Sequence, residues 1–413
     1  MSKQDWVDTL KAIASGRMLV ALMMGFASGL PLLLTGSTMQ AWLKDSGVDL
    51  AMIGAAAVIG LPYTLKFLWA PVFDRYTLPL LGRRRGWLAL SQLALVLALL
   101  ALSLSNPASS LWGVACAALL VTFFSASQDI VIDAYRRESL SDRELGLGSA
   151  MFVNGYRVGM LLAGGGGLIL ADLLTFPKMY QLMALFMVLC IVVTLVSPEP
   201  AEASGKPRTL REAVIEPFLE FFQRPEAIAI LAFILLYKLG DTLASAINVP
   251  FYLDLGFSKS EIGAIAKLFG FWATLIGGTL GGIWILRIGL YRSLWLFGFL
   301  QMASTFGFVL LAQTGYNLPM LTGVIAVENF TGGLGTAAFV GFMGAMTDRR
   351  FTATQYALLS SLMGVPRVIL STPTGWMAGE MGWTMFFILC TVLAIPGLVM
   401  IRRFKDWEGR AGA

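Results

Sequence analysis

Leu111-Trp-Gly-Val-Ala-Cys-Ala-Ala-Leu-Leu-Val-Thr-Phe-Phe-Ser-Ala-Ser-Gln-Asp-Ile-Val-Ile-Asp-Ala-Tyr135 is long and apolar enough to cross a bilayer as one helix, yet it ends with two aspartates, Asp129 and Asp133. A charged side chain at bilayer depth costs roughly 3 kcal/mol unless it is paired, neutralised or facing water. The stretch thus argues for an all-helical membrane fold, and its carboxylates point to a polar pathway through that fold. Asp133 follows Asp129 by four residues, so the two stack on one helical face.

The rest of the chain agrees with that start. Of its 413 residues 57% are hydrophobic and only 13% charged, too few charges to cover the surface of a soluble protein. The three cysteines, Cys116, Cys190 and Cys390, all fall in apolar stretches, which supplies neither a disulfide framework nor metal-ligand spacing. No metal and no cofactor is expected. Histidine is absent, so any protonation switch must use a carboxylate.

Apolar runs bounded by charge, Pro or Gly number twelve, near 18–43, 51–73, 87–105, 111–135, 147–171, 179–197, 227–252, 261–285, 293–313, 319–346, 354–379 and 383–401. With a cytoplasmic N-terminus, 22 of the 30 Lys and Arg residues fall on the cytoplasmic side, and Lys44, Lys178 and Lys259 alone lie opposite. Both termini are therefore expected in the cytoplasm. The basic balance reflects topology, not nucleic-acid binding. Residues 1–17 form an N-terminal interfacial segment in which Trp6, Leu10 and Ile13 share one helical face, and no cleavable signal is read there.

One long polar segment, 198–226, divides the chain. Within it Thr209 and Glu212 form a capping pattern, and Leu210, Val214, Phe218, Phe221 and Phe222 make an apolar stripe, which predicts a cytoplasmic amphipathic helix. The flanking blocks, 18–197 and 227–401, hold six spans each, and 402–413 is a cytoplasmic tail. An offset of 210 superimposes Gly155-Tyr-Arg157 on Val365-Pro-Arg367. The predicted fold is a polytopic all-α membrane protein, twelve transmembrane helices in two pseudo-symmetric six-helix bundles, the major facilitator organisation.

At about 1.5 Å per residue, Asp129 lies about 10 Å from the cytoplasmic end of span four, Lys66 about 12 Å along span two, and Arg157 about 15 Å along span five. The three are placed to meet. Two roles stay open for Asp129: an ion pair that pins the bundle, or a carboxylate that takes up and releases a proton. Asp133 is expected at a gate, paired with Arg136 or Arg137 or with Arg75, and Asp74-Arg75 followed by Gly82-Arg83-Arg84-Arg85-Gly86 resembles the superfamily's cytoplasmic Asp/Arg gating motif between spans two and three, or is the basic cluster of any positive-inside loop. In the second half Asp241 on span seven is expected to pair with Lys267 on span eight, leaving Lys238 for an anionic group. Glu328 and Asn329, about 13 Å into span ten, are a second proton site or substrate hydrogen-bonders. Trp272, Tyr63 and Tyr156 have the shape to stack on sugar rings, although aromatics in such spans are more often packing residues. Gly155, Gly159, Gly277, Gly278, Gly281 and Gly282 match close helix packing.

Six motifs in order, Phe26-Ala-Ser-Gly-Leu-Pro31, Lys66-Phe-Leu-Trp-Ala-Pro71, Asp74-Arg-Tyr, Gly82-Arg-Arg-Arg-Gly-Trp87, Ser125-Ala-Ser-Gln-Asp-Ile130 and Gly155-Tyr-Arg-Val-Gly-Met160, resemble the AmpG-type muropeptide permeases. Some members of that family carry hydrophobic segments beyond twelve, for which this chain has no room. The resemblance implies proton-driven import of N-acetylglucosaminyl-1,6-anhydro-N-acetylmuramic acid and its peptides across the bacterial inner membrane. That import feeds cell-wall recycling and β-lactamase induction. With such cargo, Lys66, Arg157 and Lys238 are counter-ions for a carboxylate, Gln128, Asn154 and Asn329 hydrogen-bond acetylated sugars, and Asp129 is the first choice for the proton. Substrate, protons and lipid are the expected partners of a monomer. A carrier or exporter of another anionic or glycosylated molecule is the alternative within transport. A membrane-embedded enzyme lacks a catalytic cluster in this sequence.

Overall fold

The computed structural model describes residues 14–48, 52, 56–79, 81–201, 209–258, 261–366, 370 and 373–405, with the side chains of Lys44, Ala57, Leu210 and Lys267 left aside. The expected interfacial face of Trp6, Leu10 and Ile13, the Arg367 of the repeat, the Lys267 side chain and the end of the tail lie outside the described residues.

Ten helices among the described residues are long and apolar enough to cross a membrane: Gly16–Leu43, Arg83–Leu104, Leu111–Ser139, Leu145–Leu173, Phe176–Val196, Ala227–Ala246, Ile262–Ile288, Leu290–Thr314, Leu318–Ala345 and Thr374–Phe404. They fall on spans one, three to ten and twelve, the last also taking in the end of span eleven before a kink at Gly382, whose φ is 75°. Span two is instead a chain of short pieces, a 3-10 turn Ala56–Gly60, a helix Leu61–Leu65, a 3-10 turn Lys66–Leu68 and a helix Ala70–Arg75. Pro62 and Pro71 each open one of the helical pieces, where a missing N–H is harmless. Span eleven begins as Thr352–Val365 and meets Pro366. Backbone this irregular is tolerated at membrane depth only against protein or water.

By contacts the chain divides into two compact units, 1–141 with 151–219 and 346–361, and 142–150 with 220–345 and 362–413. In the first unit, spans one and five touch backbone to backbone. A Cβ on Gly25 would lie 2.0 Å from the Phe152 carbonyl oxygen, and one on Gly155 1.9 Å from that of Leu22. Gly29 and Gly159 repeat the contact one turn on, so each helix presents Gly-x-x-x-Gly to the other. The second unit uses the same device between spans eight and ten, where Gly277 faces the Phe330 carbonyl at 2.0 Å and Gly333 that of Thr274 at 2.3 Å. Aromatic clusters fill what remains: Trp42, Phe176 and Tyr180 in the first unit, Phe251, Phe308, Trp383 and Phe387 in the second.

The linker helix spans Leu210–Gln223, and the Glu212 N–H donates to the Thr209 hydroxyl at its start. Its covered face is Ala213, Pro217 and Phe221, while Val214 and Phe222 are exposed.

Candidate functional site

In the first unit the candidate side chains converge on span four, the Leu111–Ser139 helix, because 3.6 residues per turn bring Ser125, Gln128, Asp129, Asp133 and Arg136 to its protein-facing side. Tyr63 donates to the Ser125 hydroxyl at 2.9 Å and the Trp69 indole to Ser127 at 3.0 Å, which holds the broken span two against span four. From span one, the Ser28 hydroxyl donates to Asp129 Oδ1 at 2.5 Å, and the Ala27 carbonyl accepts from Gln128 Nε2 at 2.8 Å. Tyr156 of span five lies within electrostatic reach of Tyr63. Asn154 is buried, and Arg157 is partly covered.

The expected meeting of Lys66 with Asp129 is corrected by one turn. Lys66 Nζ stands 3.8 Å from Asp133 Oδ2 and reaches Asp129 only electrostatically. A lysine ammonium stands well away from its own Cα, so the height of the Cα does not fix the height of the charge. Asp133 also takes Arg136 Nη2 at 3.1 Å, the i+3 partner among those expected. That same nitrogen donates to the Tyr356 hydroxyl at 2.7 Å, and the guanidinium stacks on the Phe152 ring at 4.3 Å.

At the basic end of the same unit the ion-pair partner of Asp74 is Arg84, not Arg75 or Arg85. Arg84 Nη2 lies 2.8 Å from Asp74 Oδ1 and 2.6 Å from Glu138 Oε1, and all three side chains are at most 3% exposed. Arg83 adds a second guanidinium to Glu138 at 3.0 Å. Arg75 lies over the Tyr76 ring, and Arg85 donates to the Thr194 and Leu195 carbonyls at the end of span six. Three consecutive arginines leave a helix in directions about 100° apart. Arg84 takes the Asp74 carboxylate, and Arg83 reaches its backbone carbonyl, at 3.4 Å.

Asp74 does more than pair. Its carboxylate accepts the backbone N–H groups of Ala353 and Thr354 at 3.2 and 2.8 Å and the Thr354 hydroxyl at 2.8 Å, capping the first turn of span eleven. Glu138 likewise accepts the Thr352 hydroxyl at 2.9 Å. Glu199, just beyond span six, caps span three through the N–H groups of Arg84 and Arg85 at 2.7 and 2.9 Å. Sequence reasoning assigned no role to Ser28, Glu138, Glu199 or Thr354, and had Arg84 only as one of three arginines in the gate loop. Glu138, one residue past a double arginine at the end of a span, was the one with a visible signal.

In the second unit Asp241 lies 3.6 Å from Lys238 on its own span, while its expected partner, the Lys267 side chain, lies outside the described residues. Lys238 also donates to the Thr336 hydroxyl at 2.8 Å, so the lysine expected to await an anion already holds two partners. Asn329 accepts from Thr274 at 3.0 Å and donates to the Ile325 carbonyl at 3.1 Å, tying span ten to span eight. Glu328 is buried and acts electrostatically on Tyr252. Trp272 is 54% exposed and meets Phe271 edge-on.

The family model described as Major Facilitator Superfamily matches residues 17–240. The anhydromuropeptide permease of Escherichia coli K12 is 42% identical over 394 residues, covering 95% of this chain and 80% of that protein. A protein of Haemophilus influenzae is also 42% identical, over 401 residues and 94% of each chain. Among solved structures, the proton:xylose symporter XylE matches with a TM-score of 0.71 at 10% identity, over 94% of this chain and 95% of that one. The human organic anion transporter MFSD10 matches at 0.65 and 16% identity, over 93% and 97%. At such identities the two structures speak for the fold alone.

Proposed function

This chain belongs to the major facilitator superfamily and, within it, to the AmpG-type permeases, and from that membership we propose that it imports N-acetylglucosaminyl-1,6-anhydro-N-acetylmuramic acid and its peptides together with protons. It is a carrier and not an enzyme. It sits in the bacterial inner membrane as a monomer with both termini in the cytoplasm, the orientation that follows from its basic loops.

Asp129 carries the proton because a neutral hydroxyl, that of Ser28, holds its carboxyl, while the nearby ammonium of Lys66 stands against Asp133. A charge count then couples proton to cargo. Lys66 and Arg136 balance Asp129 and Asp133, so a proton on Asp129 leaves one positive charge in a low-dielectric interior, and a substrate carboxylate restores neutrality. Arg157 is a further counter-ion, and Gln128, Asn154, Tyr63 and Tyr156 offer amide and aromatic surface to the sugars. Lys238, Asp241, Asn329 and Trp272 extend that surface, with Glu328 the reserve proton site. Asp74, Arg84 and Glu138 form the cytoplasmic latch, a carboxylate and its guanidinium on the N-terminus of span eleven, and the latch must release for alternating access. Import feeds cell-wall recycling and, through its products, β-lactamase induction.

Uptake of labelled anhydro-disaccharide into vesicles, with and without an imposed pH gradient, tests this for wild type and Asp129→Asn. Gradient-driven accumulation by wild type and none above equilibration by the variant is the expected result. Accumulation indifferent to the gradient overturns coupling, no uptake overturns the cargo in favour of another anionic or glycosylated compound, and full accumulation by Asp129→Asn moves the proton to Glu328.

A further inference from the structure

Arg136 is 3% exposed, yet it leaves most of its hydrogen-bonding edge unused. Nη2 serves Asp133 and Tyr356, whereas Nε and Nη1, three N–H groups together, are buried without an acceptor. Stacking on Phe152 at 4.3 Å and Tyr356 at 5.3 Å favours the charge of the guanidinium but takes none of these hydrogens. Buried donors without partners are costly enough that a folded chain keeps few of them, and those it keeps call for a role.

The neighbouring cation is also underused. Lys66 stands 3.8 Å from Asp133, close enough for attraction and too far for a hydrogen bond. One carboxylate thus sits between two cations, one on each oxygen, and once Asp129 carries its proton the group is short of one negative charge. The side chains of Lys66, Asp133 and Arg136 are 8, 9 and 2% exposed, so water screens the imbalance little. An incoming carboxylate that met Nε and Nη1 of Arg136 and the ammonium of Lys66 would fill the unused donors and neutralise the group.

We propose that Lys66, Asp133 and Arg136 form a carboxylate-exchange station, in which Asp133 is a built-in stand-in for the carboxylate of the cargo, yielding its cations as cargo binds and retaking them as cargo leaves. This inference rests on the transport reading above and adds a role for Asp133 beyond a gate. A resident carboxylate lowers the affinity of the station for cargo and raises the rate of release, because the departing anion leaves no bare cations behind. Tyr356, from the start of span eleven, shares Nη2 with Asp133, so a shift of that helix alters how many donors the station offers.

The test compares purified wild type, Asp133→Asn and Arg136→Lys. It uses thermal-shift titration with N-acetylmuramic acid, the anhydro-disaccharide and the methyl ester of each, followed by uptake kinetics in vesicles. Asp133→Asn is expected to bind the free acids about tenfold more tightly, with KM and kcat of uptake both lowered and the esters unaffected. Arg136→Lys keeps the charge but loses the fork, and is expected to bind the acids about tenfold more weakly, again sparing the esters. Unchanged or weaker acid binding by Asp133→Asn, or equal shifts for acid and ester, overturns the station while leaving transport standing. Acid-selective shifts in both variants without disaccharide uptake overturn the cargo and keep the station. Should Asp133→Asn fail to fold, Arg136→Lys decides by the same acid and ester contrast.

Discussion

The polar interiors of the two units are built on different plans. In the first, Ser28, Lys66, Asp129, Asp133, Arg136 and Tyr356 bring together spans one, two, four and eleven, so the charges cross-link elements far apart in sequence. In the second, among the described residues, Lys238 and Asp241 pair three residues apart on one stretch of span seven, and the Thr336 hydroxyl ties them to span ten. A network across helices changes whenever the helices move, while a pair on one helix travels with it. The first plan suits coupling and gating, and the second leaves a lysine in place for later use.

Breaking the cross-links should therefore do far more harm than breaking the local pair. Arg84→Ala strips both Asp74 and Glu138 of a guanidinium in a site almost closed to solvent, and is expected to lower stability by about 3–5 kcal/mol, read as thermal unfolding in detergent. A change below about 1 kcal/mol would mean that water reaches the carboxylates. Ser28→Ala removes a hydrogen bond to a charged group, worth about 1.5–3 kcal/mol, and should slow gradient-driven uptake roughly tenfold or more with little loss of folded protein. Equal uptake by the variant would detach Asp129 from coupling. Lys238→Gln, by contrast, loses a pair of the i,i+3 kind worth about 0.2–0.5 kcal/mol, and its thermal unfolding should stay close to wild type. A large destabilisation there would erase the contrast between the units.

The smallest effect is expected outside the spans. Tyr316 donates to Glu261 at 2.7 Å, and that hydrogen bond raises the phenol above its ordinary value. A raised folded value stabilises the fold fully below the unfolded pKa of about 10 and loses that contribution as pH rises through the folded value. Tyr316→Phe should thus lower the unfolding temperature slightly at pH 8, with the difference gone at strongly alkaline pH.

Much of the architecture was legible beforehand. Ten of the twelve expected spans coincide with helices of crossing length among the described residues; span two is broken at Pro62 and Pro71, which interrupt a helix without changing its hydropathy, and part of span eleven lies outside the described residues. Gly155 and Gly277 were legible as close-packing glycines, though which backbone each would touch was not. In the site, Asp129, Asp133 and Arg136 were readable because they lie on one helix, where spacing alone decides who is near. Lys66, Arg84 and Lys238 were assigned the wrong neighbours or none, because each reaches its partner with a long flexible side chain.

The sequence by itself determined that this chain crosses a membrane many times as helices, that it keeps charge inside them, and which family its motifs join. Those conclusions rest on hydropathy, periodicity and local order, which do not depend on distant contacts. The tertiary structure alone decided that Lys66 meets Asp133, that Arg84 rather than its neighbours holds Asp74, and that Ser28 holds Asp129. In a weakly screened interior the energy of an ion pair changes by kilocalories over an ångström or two, and distances of that size exist only once the helices are packed.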